Sequence, residues 1–113
     1  MAIVNQQLTT TQLDMITVPA NKSYAITNIL VCNNGSATAS FDMHLIPQSS
    51  SLSNAVTRVI NNLELPAGET FTFDSEKIVL EVGDKISFVA EPDLGAPNAG
   101  LTNLSATVSY LEV

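Results

Sequence analysis

One histidine and one cysteine restrict the chemistry open to this 113-residue chain. His44 falls on the polar side of the alternating run Ala37–Leu45 and is expected at the surface. With no second imidazole and no cysteine cluster, a transition-metal site lacks its ligand set. Nucleophilic catalysis needs a base beside the nucleophile, and His44 is the only imidazole that could serve. The G-x-S-x-G elbow, HExxH, Walker and GxGxxG patterns are all missing. Carboxylates are plentiful, eleven in all, but they are spread singly through turns and strand ends. A glycosidase would need two of them facing each other across a cleft. Asp74, Glu76, Glu81 and Asp84 form the one local cluster, without the D-x-D-x-D-G spacing of a calcium loop. They read as solvated turn charges that also blunt sheet edges. No catalytic, metal or cofactor-binding residue is expected, and so no cofactor and no enzymatic activity.

Charge narrows the partners. The net charge is −7 with four basic residues, Lys22, Arg58, Lys77 and Lys85. Too few cations are present to neutralise a run of phosphates or to hold an anionic bilayer, so neither nucleic acid nor membrane is an expected partner. Sugar platforms want exposed Trp or Tyr. The chain has no Trp, and Tyr24 and Tyr110 are in phase with core residues. The N-terminus lacks the basic and apolar regions of a signal peptide, and no apolar run approaches the ~20 residues of a membrane span. A protein made in a cytosol that stays soluble is expected. Cys32, inside the most apolar run, is expected to be a buried free thiol.

The elements that must carry this surface are strands. Length gives one domain. Apolar residues alternate with polar ones over Ala37–Leu45 and Leu104–Tyr110, and from Ile78, Leu80 and Val82 to Ile86, Phe88 and Ala90 across the turn at Gly83-Asp84. The pattern Val18-Pro19-Ala20-Asn21 before Tyr24–Cys32 is echoed by Leu65-Pro66-Ala67-Gly68 before Thr70–Phe73. Each supplies a Pro-containing turn followed by a residue tolerant of left-handed backbone. Asn33-Asn34-Gly35-Ser36 reads as a hairpin between Tyr24–Cys32 and Ala37–Ile46. The expected fold is all-β: a single antiparallel two-sheet β-sandwich of about eight strands, jelly-roll or immunoglobulin-like. Residues 1–12 form an N-terminal arm or edge strand, and residues 13–113 the sandwich.

The stretch Ile16–Asn33, with its V-P-A-N-K opening and apolar strand ending in Cys32-Asn33, resembles a small β-domain in structural proteins of tailed bacteriophages, cyanophages among them. Leu65–Thr70 and Leu80–Phe88 are similar to the second half of that domain, so the resemblance spans residues 12–112. Asn21 stands where the family has Gly, and the loop Leu94–Gly100 is longer. The resemblance implies a non-enzymatic virion protein. A capsid decoration or cement protein is the first expectation, acting as a homo-oligomer, with a trimer as first guess, on the major capsid protein. A neck, tail or fibre-base accessory protein is the alternative, and a host-surface glycan-binding module is the alternative from another class.

Simple alternation puts Ile29 and Val31 on the opposite face of their strand from Ile26, Leu30 and Cys32. A strand apolar on both faces either lies centrally or offers one face to another subunit. The expected subunit or shell contacts are therefore Ile29 and Val31, the N-terminal Ile3 and Val4, then Leu52, Val56 and Ile60, and Leu94 in the long loop.

Overall fold

A computed structural model describes residues 2–36, 38–73, 78–90 and 103–113. They form nine strands and no helix: β1 (Ala2–Gln7), β2 (Leu13–Thr17), β3 (Tyr24–Asn33), β4 (Ala39–Ile46), β5 (Arg58–Leu65), β6 (Thr70–Phe73), β7 (Ile78–Leu80), β8 (Lys85–Ala90) and β9 (Leu104–Glu112). One antiparallel sheet has the order β1-β9-β3-β6, with β7 also on β3, and the other has the order β2-β8-β4-β5. The two-sheet sandwich is as the alternation requires.

Strand order decides between the two expected topologies. β1 pairs with β9, β2 with β8, β3 with β6 and β7, and β4 with β5. These are the rungs of one long antiparallel hairpin rolled so that successive rungs alternate between sheets, which is the jelly roll. β6 and β7 lie on the same edge of β3, against Ile29–Cys32 and Tyr24–Ile26 respectively, and act as two halves of one strand.

The expected hairpin at Asn33–Ser36 is corrected by this topology. β3 and β4 lie in opposite sheets, so the turn rounds a corner of the sandwich. Asn-Gly turn chemistry is the same for both uses, and only long-range pairing separates them. The hairpin partner of β4 is β5, through the longer connection 47–57.

The phase of β3 is also corrected. A bulge between Ile26 and Asn28 inserts one residue against β9, which resets the alternation. Ile26, Ile29 and Val31 consequently share the inner face, with exposures of 2%, 1% and 0%, and Leu30 and Cys32 face outward, half-buried. Ile29 and Val31 are thus core residues of their own chain, not the expected subunit seam. Around them pack Phe41, Met43, Ile86 and Phe88 from the opposing sheet. Phe41 and Phe88 are fully buried with ring centroids 6.1 Å apart. Tyr24 and Tyr110 close one end of the core, their centroids 4.3 Å apart.

Both Pro-Ala turns take the backbone their sequences demand, with φ of 64° at Asn21 and 79° at Gly68. Their neighbours tie the sheets at opposite ends of β3. At one end Val18 N–H donates to Asp84 O (3.1 Å) and Gly83 N–H to Val18 O (2.9 Å). At the other, Gly68 N–H donates to Asn33 O (3.0 Å) and Asn33 N–H to Glu69 O (2.9 Å). The Asn33 side chain completes that end: Nδ2 donates to Leu65 O at 2.8 Å, and Oδ1 accepts from Gly35 N–H at 2.9 Å. Asn33 is 1% exposed, so water cannot replace these bonds. Asn33→Ala is expected to cost about 3 kcal/mol, because a buried carbonyl and an amide lose their partner together. Urea denaturation checks this against Asn34→Ala, whose exposed side chain should matter by less than about 1 kcal/mol.

Candidate functional site

The outer face of the sheet β2-β8-β4-β5 holds most of the polar side chains that could do chemistry. His44 is 1% exposed, not at the surface as its alternation implies, and its Nδ1 lies 2.8 Å from Thr57 Oγ1. The β4–β5 connection ends at Thr57, whose carbonyl accepts from Leu45 N–H at 3.0 Å and brings the hydroxyl over the imidazole. An imidazole beside a hydroxyl is the minimal nucleophile–base pair. Here the hydroxyl is already engaged. Thr57 Oγ1 donates to Ser53 O (2.9 Å) and accepts from Ser53 N–H (2.9 Å). With its single proton so used, Nδ1–H of His44 is the donor of their shared bond. The pair is a clasp that holds residues 53–57 to β4.

Asp42, two residues before His44 on the same face, is 4% exposed. Its Oδ1 accepts from Asn62 N–H at 2.6 Å, and its Oδ2 lies 3.8 Å from Arg58 Nη1. The donor amide comes from an irregular stretch of β5 where the register shifts between Phe41 and Met43 and Asn62 has φ of 50°. Farther along, Ser87 Oγ donates to Asp14 Oδ1 at 2.6 Å, and Lys85 Nζ lies 3.8 Å from Asp14 Oδ2. The Ser87 bond holds the Asp14 carboxyl below its ordinary value, assisted by Gln12 and Lys85 against a burial effect of opposite sign. Sequence reasoning missed the whole cluster, since nothing in local alternation reveals that a distant connection covers the face.

The acidic cluster is partly visible. Asp84 Oδ2 accepts from Glu81 N–H at 3.0 Å and Oδ1 from Gln48 N–H at 2.9 Å, so this carboxylate staples two turns. Asp74 and Glu76 lie outside the described residues, as does Leu94. Among the described residues no group of three His, Cys, Asp or Glu side chains converges as a metal site would require.

The expected contact residues do not converge on one patch. Ile3 (64% exposed) and the half-buried Val4 lie on edge strand β1, so the N-terminal segment is a paired strand through Gln7. Val56 (82% exposed), Leu52 and Ile60 lie on or beside the β4–β5 connection, at the other sheet.

The outer face of β1-β9-β3-β6 has the opposite character. Its outward positions are Ile3, Asn5 and Gln7 on β1, and Ser105, Thr107, Ser109 and Leu111 on β9. On β3 they are Ala25, Thr27, Asn28, Leu30 and Cys32, flanked by Thr70 and Thr72 on β6 and Val79 on β7. None carries a charge and none is buried. The nearest ion pair, Lys22 with Glu112, sits at the strand ends. At the opposite end of this sheet Gln7, Asn34, Asn103, Leu104 and Ser105 line an open cavity of about 240 Å³. Amides and hydroxyls there offer both donors and acceptors without charge.

No protein-family model, curated protein or solved structure in the comparisons matches the chain.

Burial holds the His44 imidazole below its ordinary value of 6.5, with Arg58 adding to the effect and Asp42 opposing it. The folded state therefore binds this proton less readily than the unfolded chain does, and stability falls as pH drops below 6.5. Asp14 adds a separate loss only at lower pH, beneath its ordinary 3.8. Thermal midpoints between about pH 7.5 and pH 5.5 should decline in the native chain and change less in His44→Gln.

Proposed function

We propose that this chain is a non-enzymatic structural protein of a tailed-phage virion, a small module used in many copies to decorate the capsid. The carrying observation is the outer face of β1-β9-β3-β6, on which no described outward residue is charged or buried, on a chain of net charge −7. Interface cores are depleted in charge, and a surface rich in Ser, Thr, Asn and Gln meets another protein through hydrogen bonds without desolvating ions. The jelly-roll order supports the reading by analogy of fold, since capsid proteins use it, though fold alone does not assign function. The likeness of Ile16–Asn33 to phage structural β-domains points the same way. The partners are the major capsid protein and further copies of this chain, and the place of action is the virion.

A neck, tail or fibre-base position is the same module in another symmetry. Glycan binding has one observation in its favour, the amide- and hydroxyl-lined cavity at Gln7, Asn34, Asn103 and Ser105, on a topology that lectins also use. Cryo-EM of particles assembled with and without the protein tests the main reading. Decoration gives lattice-ordered copies over the whole shell that vanish in the deletion. A few copies confined to the tail transfer the protein there, and absence from purified particles removes the virion reading. Binding of the purified protein to a glycan array, lost in Asn34→Ala, would favour the third reading.

A further inference from the structure

We infer that Asn34 is a site of spontaneous deamidation, which converts a neutral corner of the molecule into a charged one. The chemistry stands apart from the virion reading. Asn34 is the one asparagine in the sequence followed by glycine. With no side chain on the next residue, the following peptide nitrogen is open to the Asn34 amide. Packing imposes this pair. A Cβ on Gly35 would lie 2.7 Å from Asn103 Nδ2 and 2.9 Å from Asn103 Cβ, and Asn34 N–H donates to Asn103 O at 2.9 Å. The corner between β3 and β4 needs glycine at 35, and Asn34 beside it is exposed. In the reaction Gly35 N gives its proton to solvent and bonds to Asn34 Cγ. Nδ2 takes up a proton and leaves as ammonia. Water then opens the five-membered imide, at Cγ to give aspartate or at the main-chain carbonyl to give isoaspartate.

The fold restrains the reacting atoms. Gly35 N–H donates to Asn33 Oδ1 at 2.9 Å, which shields its proton from solvent base. The Asn34 amide is turned onto the neighbouring strands: Nδ2 donates to Ser105 Oγ at 3.1 Å, and Oδ1 accepts from Cys32 Sγ at 3.4 Å. Ring closure requires that amide to leave β3 and β9 and swing onto Gly35 N. It therefore waits for local opening of the corner, a motion that costs less than global unfolding. Asn33, which ties the corner to β5 and to the turn before β6, sets how often that opening occurs. The product alters a surface. Asn34 lines the cavity with Gln7, Asn103, Leu104 and Ser105, and none of these side chains is charged. A carboxylate at 34 reverses the bond to Ser105, since the hydroxyl must then donate. Isoaspartate also lengthens the main chain by a methylene at the corner. On the virion reading the new charge falls at the end of the docking face and weakens it with age; this last consequence alone rests on that reading.

The test ages the full chain in mildly alkaline buffer, folded and in urea, and maps its peptides by mass spectrometry. Asn34 should be the first residue to change from amide to acid, with aspartate and isoaspartate peptides resolved by chromatography. The folded chain should convert between about ten-fold and a hundred-fold more slowly than the chain in urea. Ser105→Ala frees the Asn34 amide and leaves Asn33 in place. It should speed conversion of the folded chain at least about three-fold and leave the rate in urea unchanged. Ser109→Ala removes a hydroxyl bond on the same strand away from the corner and should not change either rate. Circular dichroism confirms that both variants keep the β-sheet signal. First conversion at another asparagine, or equal rates in folded and urea-treated chains, overturns the proposal. So does a folded chain unconverted after about a thousand unfolded half-lives. Ser105→Ala no faster than the native chain, or no faster than Ser109→Ala, overturns it as well.

Discussion

Asn33 holds the two sheets in register with one another. Four of its polar groups are bonded to three separate segments: the corner after β3, the end of β5, and the Pro-Ala turn that starts β6. Removing the sequence distance between Asn33 and Leu65 costs loop-closure entropy, which must be offset by contacts made at the end of the loop. A jelly roll has little local structure to help, because nearly every rung joins residues far apart in sequence. Buried, fully satisfied side-chain bonds at a corner suit this task. They fix direction as well as distance, and apolar packing alone does not. Val18 with Gly83 and Asp84 provides the corresponding backbone lock at the other end.

With both ends locked, the faces of the sandwich are free to differ, and they do. The sheet β2-β8-β4-β5 covers part of its own outer surface by folding residues 53–57 back onto His44 and by burying Asp42 beneath Arg58 and the Asn62 amide. Those groups are bonded to the chain itself and offer little to a partner. Among the described residues the other sheet presents hydroxyls, amides and a few aliphatic side chains outward, none of them on a fully buried residue. Ion pairs here organise the molecule, and neutral groups present it. A search through titratable residues alone would therefore settle on the sheet whose polar groups are already bonded to the chain itself.

Much of the fold is legible in the sequence. Strand positions follow from alternation, and the left-handed Asn21 and Gly68 follow from turn chemistry. The failures share a cause. The Asn33–Ser36 corner and a hairpin turn use the same residues, so only the partner of β4, eight residues of β5, distinguishes them. The bulge at Thr27–Asn28 has no mark in the apolar pattern Ile26, Ile29, Leu30, Val31, yet it moves Ile29 and Val31 from an outer face to the core. A single inserted residue reverses every side chain beyond it, which is why strand phase is the least secure reading from one sequence.

That reversal reshapes the functional surface more than any individual residue does. Without the bulge, Ile29 and Val31 would form a greasy outer stripe, and Leu30 and Cys32 would sit inside. With it, the outer stripe is Asn28, Leu30 and Cys32 beside Ser105, Thr107 and Ser109, polar enough to remain in water and neutral enough to meet another surface. A permanently apolar face of that extent would invite unspecific association. Hydroxyls and amides instead require alignment, since each must trade a bond to water for one to a partner. The bulge thus converts a sticky face into a selective one.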